Sequence, residues 1–259
     1  MKAIAVQGLR FGYSNKPLFD QFSLNIEVGE FFGIIGPNGS GKSTLLRLFA
    51  GILLPEKGAV ELLGQEIRTL SRRKIAQMVG LVPQESFFAF EWKVTEVVMM
   101  GRNPFLGLFD RPRQTDIAKV EEAMRLTEVI DFKDRNINSI SSGEKQRAVL
   151  ARALAQEPEI LLLDEATSHL DIHHRLKILT ILKGLNKKGR TIVFVSHELN
   201  DAAAFCSRIL LLSGGRCLAC DRPEKVITTD LIRQAYGVEP FVFSHPLTGG
   251  RPQIILPSE

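Results

Sequence analysis

Three short stretches near the start of the chain, residues 4–6, 23–26 and 31–35, are apolar or alternate apolar with polar, and Gly, Pro, Asn and Asp lie between them. Period two bounded by turn residues predicts strands. At Gly36 the pattern changes to a glycine-rich loop, and a leucine-rich helix runs from Lys42 to about residue 50, where Gly51 supplies a stop. Residues 95–100 and 115–130 read as helices on either side of the irregular run NPFLGLFDRP, so that residues 85–137 form an inserted helical subdomain. From Ser141 a helix to about residue 156, a wholly apolar strand at 160–163, a helix near 173–185 and a strand at 191–195 follow in turn. Apolar strands alternating with helices predict a parallel sheet covered on both faces.

Composition narrows the class. With 44% apolar and 24% charged residues, the 259-residue chain is an ordinary globular protein, and disorder over its whole length is excluded. Apolar runs at 160–163, 192–195 and 209–212 are far below the roughly 18 residues that a membrane-crossing helix needs. The start, MKAIAVQGLRFGYSN, does not read as a secretory signal, having neither a continuous apolar core nor a small-residue cleavage site, and a cytoplasmic location is expected. Cys206, Cys217 and Cys220 are too few and too odd for a disulfide framework. The C-x-x-C pair lacks a second pair for zinc and sits beside a Gly-Gly turn in an expected strand, so it reads as structural. A net charge of +4 is too mild to argue for nucleic acid, and no nucleic-acid partner is expected.

Gly36-Pro37-Asn38-Gly39-Ser40-Gly41-Lys42-Ser43-Thr44 satisfies G-x-x-x-x-G-K-[ST] directly after a strand and directly before a helix. Glycines at this spacing let the backbone curl until several amides point at phosphate oxygens, and the helix adds its positive end. Lys42 then holds the β- and γ-phosphates of a bound nucleotide, and the Ser43 hydroxyl ligates Mg²⁺, a reading that by itself leaves kinases, GTPases and helicases open. Asp164 and Glu165 close the apolar strand 160–163, at the sheet edge where ligands bind. Asp164 supports Mg²⁺ through water, and Glu165 is placed to polarise an attacking water. Alone, such a pair is also a common start to a helix.

Ser141-Ser142-Gly143-Glu144 opens a helix with an S-x-x-E capping box, a sufficient structural reading in itself. Followed by ILLLDE, the run ISSGEKQRAVLARALAQEP nevertheless resembles the signature region, usually written LSGGEQQR, of ATP-binding-cassette (ABC) ATPases. The resemblance covers nearly the whole chain. It implies a P-loop core with a mostly parallel sheet, an amino-terminal antiparallel β-subdomain and an inserted α-helical subdomain. It also implies a head-to-tail dimer in which Ser141, Ser142, Gly143 and Glu144 face ATP on the other subunit, with Asp171 of the SHLD run crossing the interface. Ser142 stands where the family has its first glycine, and a tuned activity is expected. His169 replaces the usual alanine as a local variation. Tyr13 matches the aromatic that stacks on adenine, Gln84 the glutamine that joins the Mg²⁺ and water site, and His197 the switch histidine. His173 and His174 read as helix surface.

The run FEWKVTEVVMMGRNPFLGLF and the tail AYGVEPFVFSHPLTGGRPQIILP resemble the importers of iron-siderophores, haem and cobalamin. An apolar loop covering its own core is the competing reading of MMGRNPFLGLF. The resemblance implies polytopic permease subunits touched by 85–137, an extracytoplasmic binding protein, and a peripheral place on the cytoplasmic face of the inner membrane. Residues 1–84 and 138–225 are then the nucleotide-binding core, and 226–259 a carboxyl-terminal extension. A soluble cassette ATPase of iron-sulfur cluster assembly is the rival, and its insert does not usually carry the GRNPFLGLF-like run.

Overall fold

The computed structural model describes every residue except 14–15, 108, 169, 247–248 and 256–259. The chain opens with β1 (Lys2–Tyr13), β2 (Lys16–Glu27), β3 (Phe31–Ile35), α1 (Lys42–Phe49), β4 (Lys57–Leu62) and β5 (Gln65–Glu66). Four of these strands form an antiparallel sheet in the order β2-β1-β4-β5. On β2 the buried Phe22, Leu24 and Ile26 alternate with exposed polar residues, the pattern of a sheet with one wet face.

Next come α2 (Arg72–Met78), β6 (Val79–Val82), α3 (Val94–Met99), α4 (Gln114–Leu126), α5 (Ser142–Leu154), β7 (Ile160–Asp164) and α6 (Ile172–Lys187). They are followed by β8 (Thr191–Val195), α7 (Leu199–Phe205), β9 (Arg208–Ser213), β10 (Arg216–Asp221), α8 (Pro223–Val226), α9 (Thr229–Tyr236) and the hairpin β11 (Phe241–Ser244) with β12 (Pro252–Ile255). The order of the six-stranded sheet is β10-β9-β3-β8-β7-β6, parallel from β9 to β6 with β10 as an antiparallel edge. Its apolar strands bury both faces: Phe32, Leu162 and Val193 join α1 and the antiparallel sheet, whereas Ile35, Leu163 and Phe194 join α5 and α6. The neighbouring strands β3, β8, β7 and β6 all point one way, so the segments that follow them emerge along a single edge.

The insert has a core of its own, built from Val94, Val97 and Val98 of α3 and Val120 and Met124 of α4, packed on Ala148, Ala151 and Ala155 at α5. The expected helix over 115–130 stops at Leu126. There the Thr127 hydroxyl donates to the Ala123 carbonyl at 2.9 Å, and Glu128 takes a left-handed φ of 55°, which turns the chain out of the helix. Among the described residues no helix is long and apolar enough to cross a membrane. Cys217 and Cys220 lie on β10 with free thiols.

The GRNPF run divides in two. Gly101 is pressed against α5, where a Cβ would stand 2.1 Å from the Arg152 carbonyl oxygen. Arg102 is buried and donates to Asp116 at 2.9 Å, to the Ala155 carbonyl at 2.7 Å and to Glu157 at 3.2 Å, with Phe105 beneath its guanidinium at 4.1 Å. Only the outer part, including the fully exposed Phe109, faces solvent. The inner part of the run therefore covers its own core, and the outer part is exposed.

Candidate functional site

The loop after β3 needs glycine where the backbone is most crowded. Gly36 has φ 150°, and a Cβ there would lie 2.0 Å from the Leu212 carbonyl oxygen; Gly41, with φ 106°, would collide with the Phe19 ring. Gly41 is also the N-cap of α1 and offers no side-chain acceptor, so the first amides of that helix remain free for an anion. Lys42 folds back over the loop and donates to the carbonyls of Gly36 at 2.9 Å and Pro37 at 3.0 Å. Burial pushes its ammonium pKa down, and the charges of Glu165 and Asp164 work against that shift.

From the end of β7, Asp164 accepts the Ser43 hydroxyl at 2.9 Å, across 121 residues of chain. Burial pushes the Asp164 carboxyl up, the Ser43 hydrogen bond pulls it down, and the neighbouring Glu165 raises it again. Glu165 is buried with a φ of 50°, a strained backbone for a residue with a side chain, and its amide is held by the Val195 carbonyl at 3.2 Å. Its carboxylate lies at the end of β8, where Oε1 is 2.5 Å from His197 Nε2. Tyr13 closes the other side: its ring stands edge-on to Phe11, and its hydroxyl lies 3.3 Å from Thr44 Oγ1.

Tyr13, Asn38, Gly39, Gly41, Lys42, Ser43, Thr44 and Glu165 thus line one cleft of about 320 Å³. Ser40 lies behind it, its carbonyl bonded to the Gly215 amide at 3.1 Å and its buried hydroxyl without a partner. Gln84 is elsewhere. It lines a second cleft of about 330 Å³ together with Ser142 and Ser168, rather than bonding to Ser43 or Asp164.

At the start of α5 the capping box closes as expected. Ser141 Oγ accepts the Glu144 amide at 3.3 Å, and the Glu144 carboxylate accepts the Ser141 amide at 2.8 Å and the Ser141 hydroxyl at 2.9 Å, which holds the Glu144 pKa down. Asp171 is the N-cap of α6, accepting the His174 amide at 2.8 Å. His169 lies outside the described residues. His174, expected on the helix surface, instead turns inward: Nδ1 donates to both Asp171 oxygens, at 2.8 and 3.0 Å, and its ring occupies the space that a Cβ on Gly143 would take. Spacing gave no sign of this contact, because it joins two helices 31 positions apart.

The first cleft fits a nucleoside triphosphate with Mg²⁺. Free amides and a lysine face an anion, and the Ser43 hydroxyl and Asp164 carboxylate are the hard oxygen donors that Mg²⁺ takes. A helix that begins uncapped in such a loop, beside a sheet edge carrying two acids, defines a P-loop nucleoside triphosphate-binding protein. Within that class the particular family is shown by the sequence: residues 19–168 match the ABC transporter family, and the chain belongs to it.

Among its relatives, the ferric enterobactin transport ATP-binding protein FepC of Escherichia coli (strain K12) is 37% identical over 93% of this chain and 89% of that protein. The cobalamin import ATP-binding protein BtuD of Halobacterium salinarum (strain ATCC 29341 / DSM 671 / R1) is 38% identical over 94% of this chain and 61% of that protein. The chain spans 58–61% of the length of the first curated relatives it matches. Among solved structures, an ABC transporter captured in an inward-facing conformation superimposes with a TM-score of 0.88 at 27% identity, covering 99% of this chain and 98% of that one. The ATP-binding cassette MJ0796, solved as a post-hydrolysis dimer bound to ADP and Pi, gives 0.74 at 28% identity, covering 85% and 98%.

Proposed function

We propose that this chain is the ATP-hydrolysing subunit of an ABC importer that takes up an iron-siderophore, haem or cobalamin through separate polytopic permease subunits. It works as a peripheral protein on the cytoplasmic face of the inner membrane, in a system that includes an extracytoplasmic substrate-binding protein. One observation carries the hydrolytic reading: Lys42, the Ser43–Asp164 pair and the Glu165–His197 pair converge from three separate segments on one sheet edge. Relatives named for ferric enterobactin and cobalamin transport support the choice of cargo over an iron-sulfur assembly role.

Gly36, Pro37, Asn38, Gly39, Ser40, Gly41 and Thr44 form the phosphate cradle, and Lys42 exchanges its two backbone carbonyl acceptors for phosphate oxygens. Ser43 and Asp164 would hold Mg²⁺, with Gln84 joining them once the second cleft closes on the first; the ion would neutralise charge on the phosphates. Glu165, held by His197, takes a proton from the water that attacks the γ-phosphorus as the bond to ADP breaks, giving ADP and phosphate. Tyr13 stacks on the adenine.

The two clefts have complementary contents. Phosphate-binding groups line one, while the other carries Ser142 beside Gln84, close to the ends of α5 and α6. A second copy placed head to tail brings Ser141, Ser142, Gly143, Glu144 and Asp171 of one chain over the phosphates bound by the other, completing two sites. ATP favours this closed pair because it contacts both halves there.

Residues 85–137 carry closure to the permease. A further cleft of about 620 Å³ lies between α2 and this insert, lined by Ile52, Arg72, Ile75, Met100, Asn103 and Pro104, with Phe87 and Phe90 exposed elsewhere on the insert. Core segments 1–84 and 138–225 bind nucleotide, and 226–259 extends them.

Ser142→Gly is expected to change turnover by up to about tenfold, the worth of one hydrogen bond, while nucleotide affinity stays constant. Steady-state ATP hydrolysis and equilibrium binding measured together decide it, and unchanged turnover shows Ser142 to be neutral. The transport reading is tested by purifying the tagged chain from gently solubilised membranes. A polytopic subunit recovered in near-equal amount is the expected result; recovery with soluble assembly factors alone contradicts it.

A further inference from the structure

Three features place His174 between two elements of the proposed dimer face. Its Nδ1 donates to both oxygens of Asp171, the residue that starts α6. Because a carboxylate only accepts, this bond puts the proton on Nδ1 and fixes the ring orientation. The opposite edge of the ring lies on Gly143 in the first turn of α5, where an added Cβ would stand 2.2 Å from Cδ2 and 2.8 Å from Nε2. Gly143 has no left-handed φ to require glycine. Its missing side chain is explained by the ring that fills the space.

We infer that His174 is a positioning residue for ATP hydrolysis, locking the loop that ends at Asp171 to the signature segment 141–144 of the same chain so that both meet the partner-bound ATP as one rigid unit. The inference rests on the head-to-tail dimer proposed above. Each segment is otherwise held only by its own helix cap at an exposed position: Asp171 at the start of α6, next to a loop, and the Ser141 capping box at the start of α5. Linked through one imidazole, neither shifts without the other, and a misplacement of about 1 Å at a reacting centre costs on the order of a hundredfold in rate.

The role predicts a division between binding and turnover. His174 is absent from the lining of the cleft that carries its own chain's P-loop, so His174→Ala is expected to leave nucleotide affinity of the isolated chain within about twofold while lowering turnover at saturating MgATP about tenfold or more. His174→Asn retains a donor near the Nδ1 position but removes the ring from Gly143, and is expected to recover only part of the loss. A second arm tests the ring contact. Gly143→Ala in the wild-type background meets the imidazole, whereas in the His174→Ala background the new methyl group has room, so the two losses are expected to be strongly non-additive.

Turnover of His174→Ala within twofold of wild type overturns the inference, as does an equal loss of affinity and turnover, or additive losses in the double variant. If His174→Ala fails to fold, as shown by its thermal transition, the same comparison is made with His174→Asn. Wild-type turnover separates the two levels: a wild-type chain that releases no phosphate overturns the hydrolytic reading itself, whereas an active wild type with an indifferent His174 overturns only this role.

Discussion

Replacing Glu165 by Gln is expected to lower steady-state phosphate release by about 10²–10⁴-fold, the usual worth of a positioned general base, without loss of ATP affinity. The amide keeps the size and the approximate hydrogen-bonding position of the carboxylate but cannot take the proton. Binding survives because the phosphate loop, Lys42 and the Ser43–Asp164 pair are untouched. The variant should therefore accumulate as an ATP-bound dimer, visible by light scattering in the presence of MgATP. Full turnover in Glu165→Gln would remove the base from this residue and leave its strained φ and its approach to His197 without a catalytic explanation.

The second large effect is on stability. Arg102→Ala is expected to cost about 3–5 kcal/mol, because it leaves the buried Asp116 carboxylate without its guanidinium and strips the Ala155 carbonyl of a donor. For a domain of this size that corresponds to a fall of roughly 6–20 °C in melting temperature, readable by calorimetry. The Asp116 carboxyl is held below its ordinary range, first by the Arg113 amide and then by Arg102, consistent with an ionised partner. Nucleotide binding by the folded fraction should stay near wild type, since Arg102 lies on the insert. A melting temperature within about 2 °C of wild type would show that the surrounding groups rehydrate freely.

Legibility in the sequence followed the range over which each feature is determined. The phosphate loop is local: glycine positions, Lys42 and Ser43 all lie within nine residues between a strand and a helix, so composition and spacing reveal them. The parallel sheet was equally plain, because strands buried on both faces are apolar throughout. The Thr127 turn escaped because the helical pattern continues past it, while the chain is reversed by one hydroxyl bond and a left-handed Glu128. The roles of Arg102 and His174 were hidden because each depends on contacts between elements far apart in sequence: α4 with the end of α5, and α6 with the start of α5. Gln84 remained with the second cleft for a related reason, since its proposed Mg²⁺ role requires the closed dimer.

The most direct test of the central claim is phosphate release from MgATP by the purified chain as a function of its concentration, with Lys42→Ala as the control. Two copies complete each proposed site, so specific activity should rise with concentration towards a plateau and vanish in the control. ATP binding with no phosphate release, or a specific activity independent of concentration down to full dilution, would contradict the account.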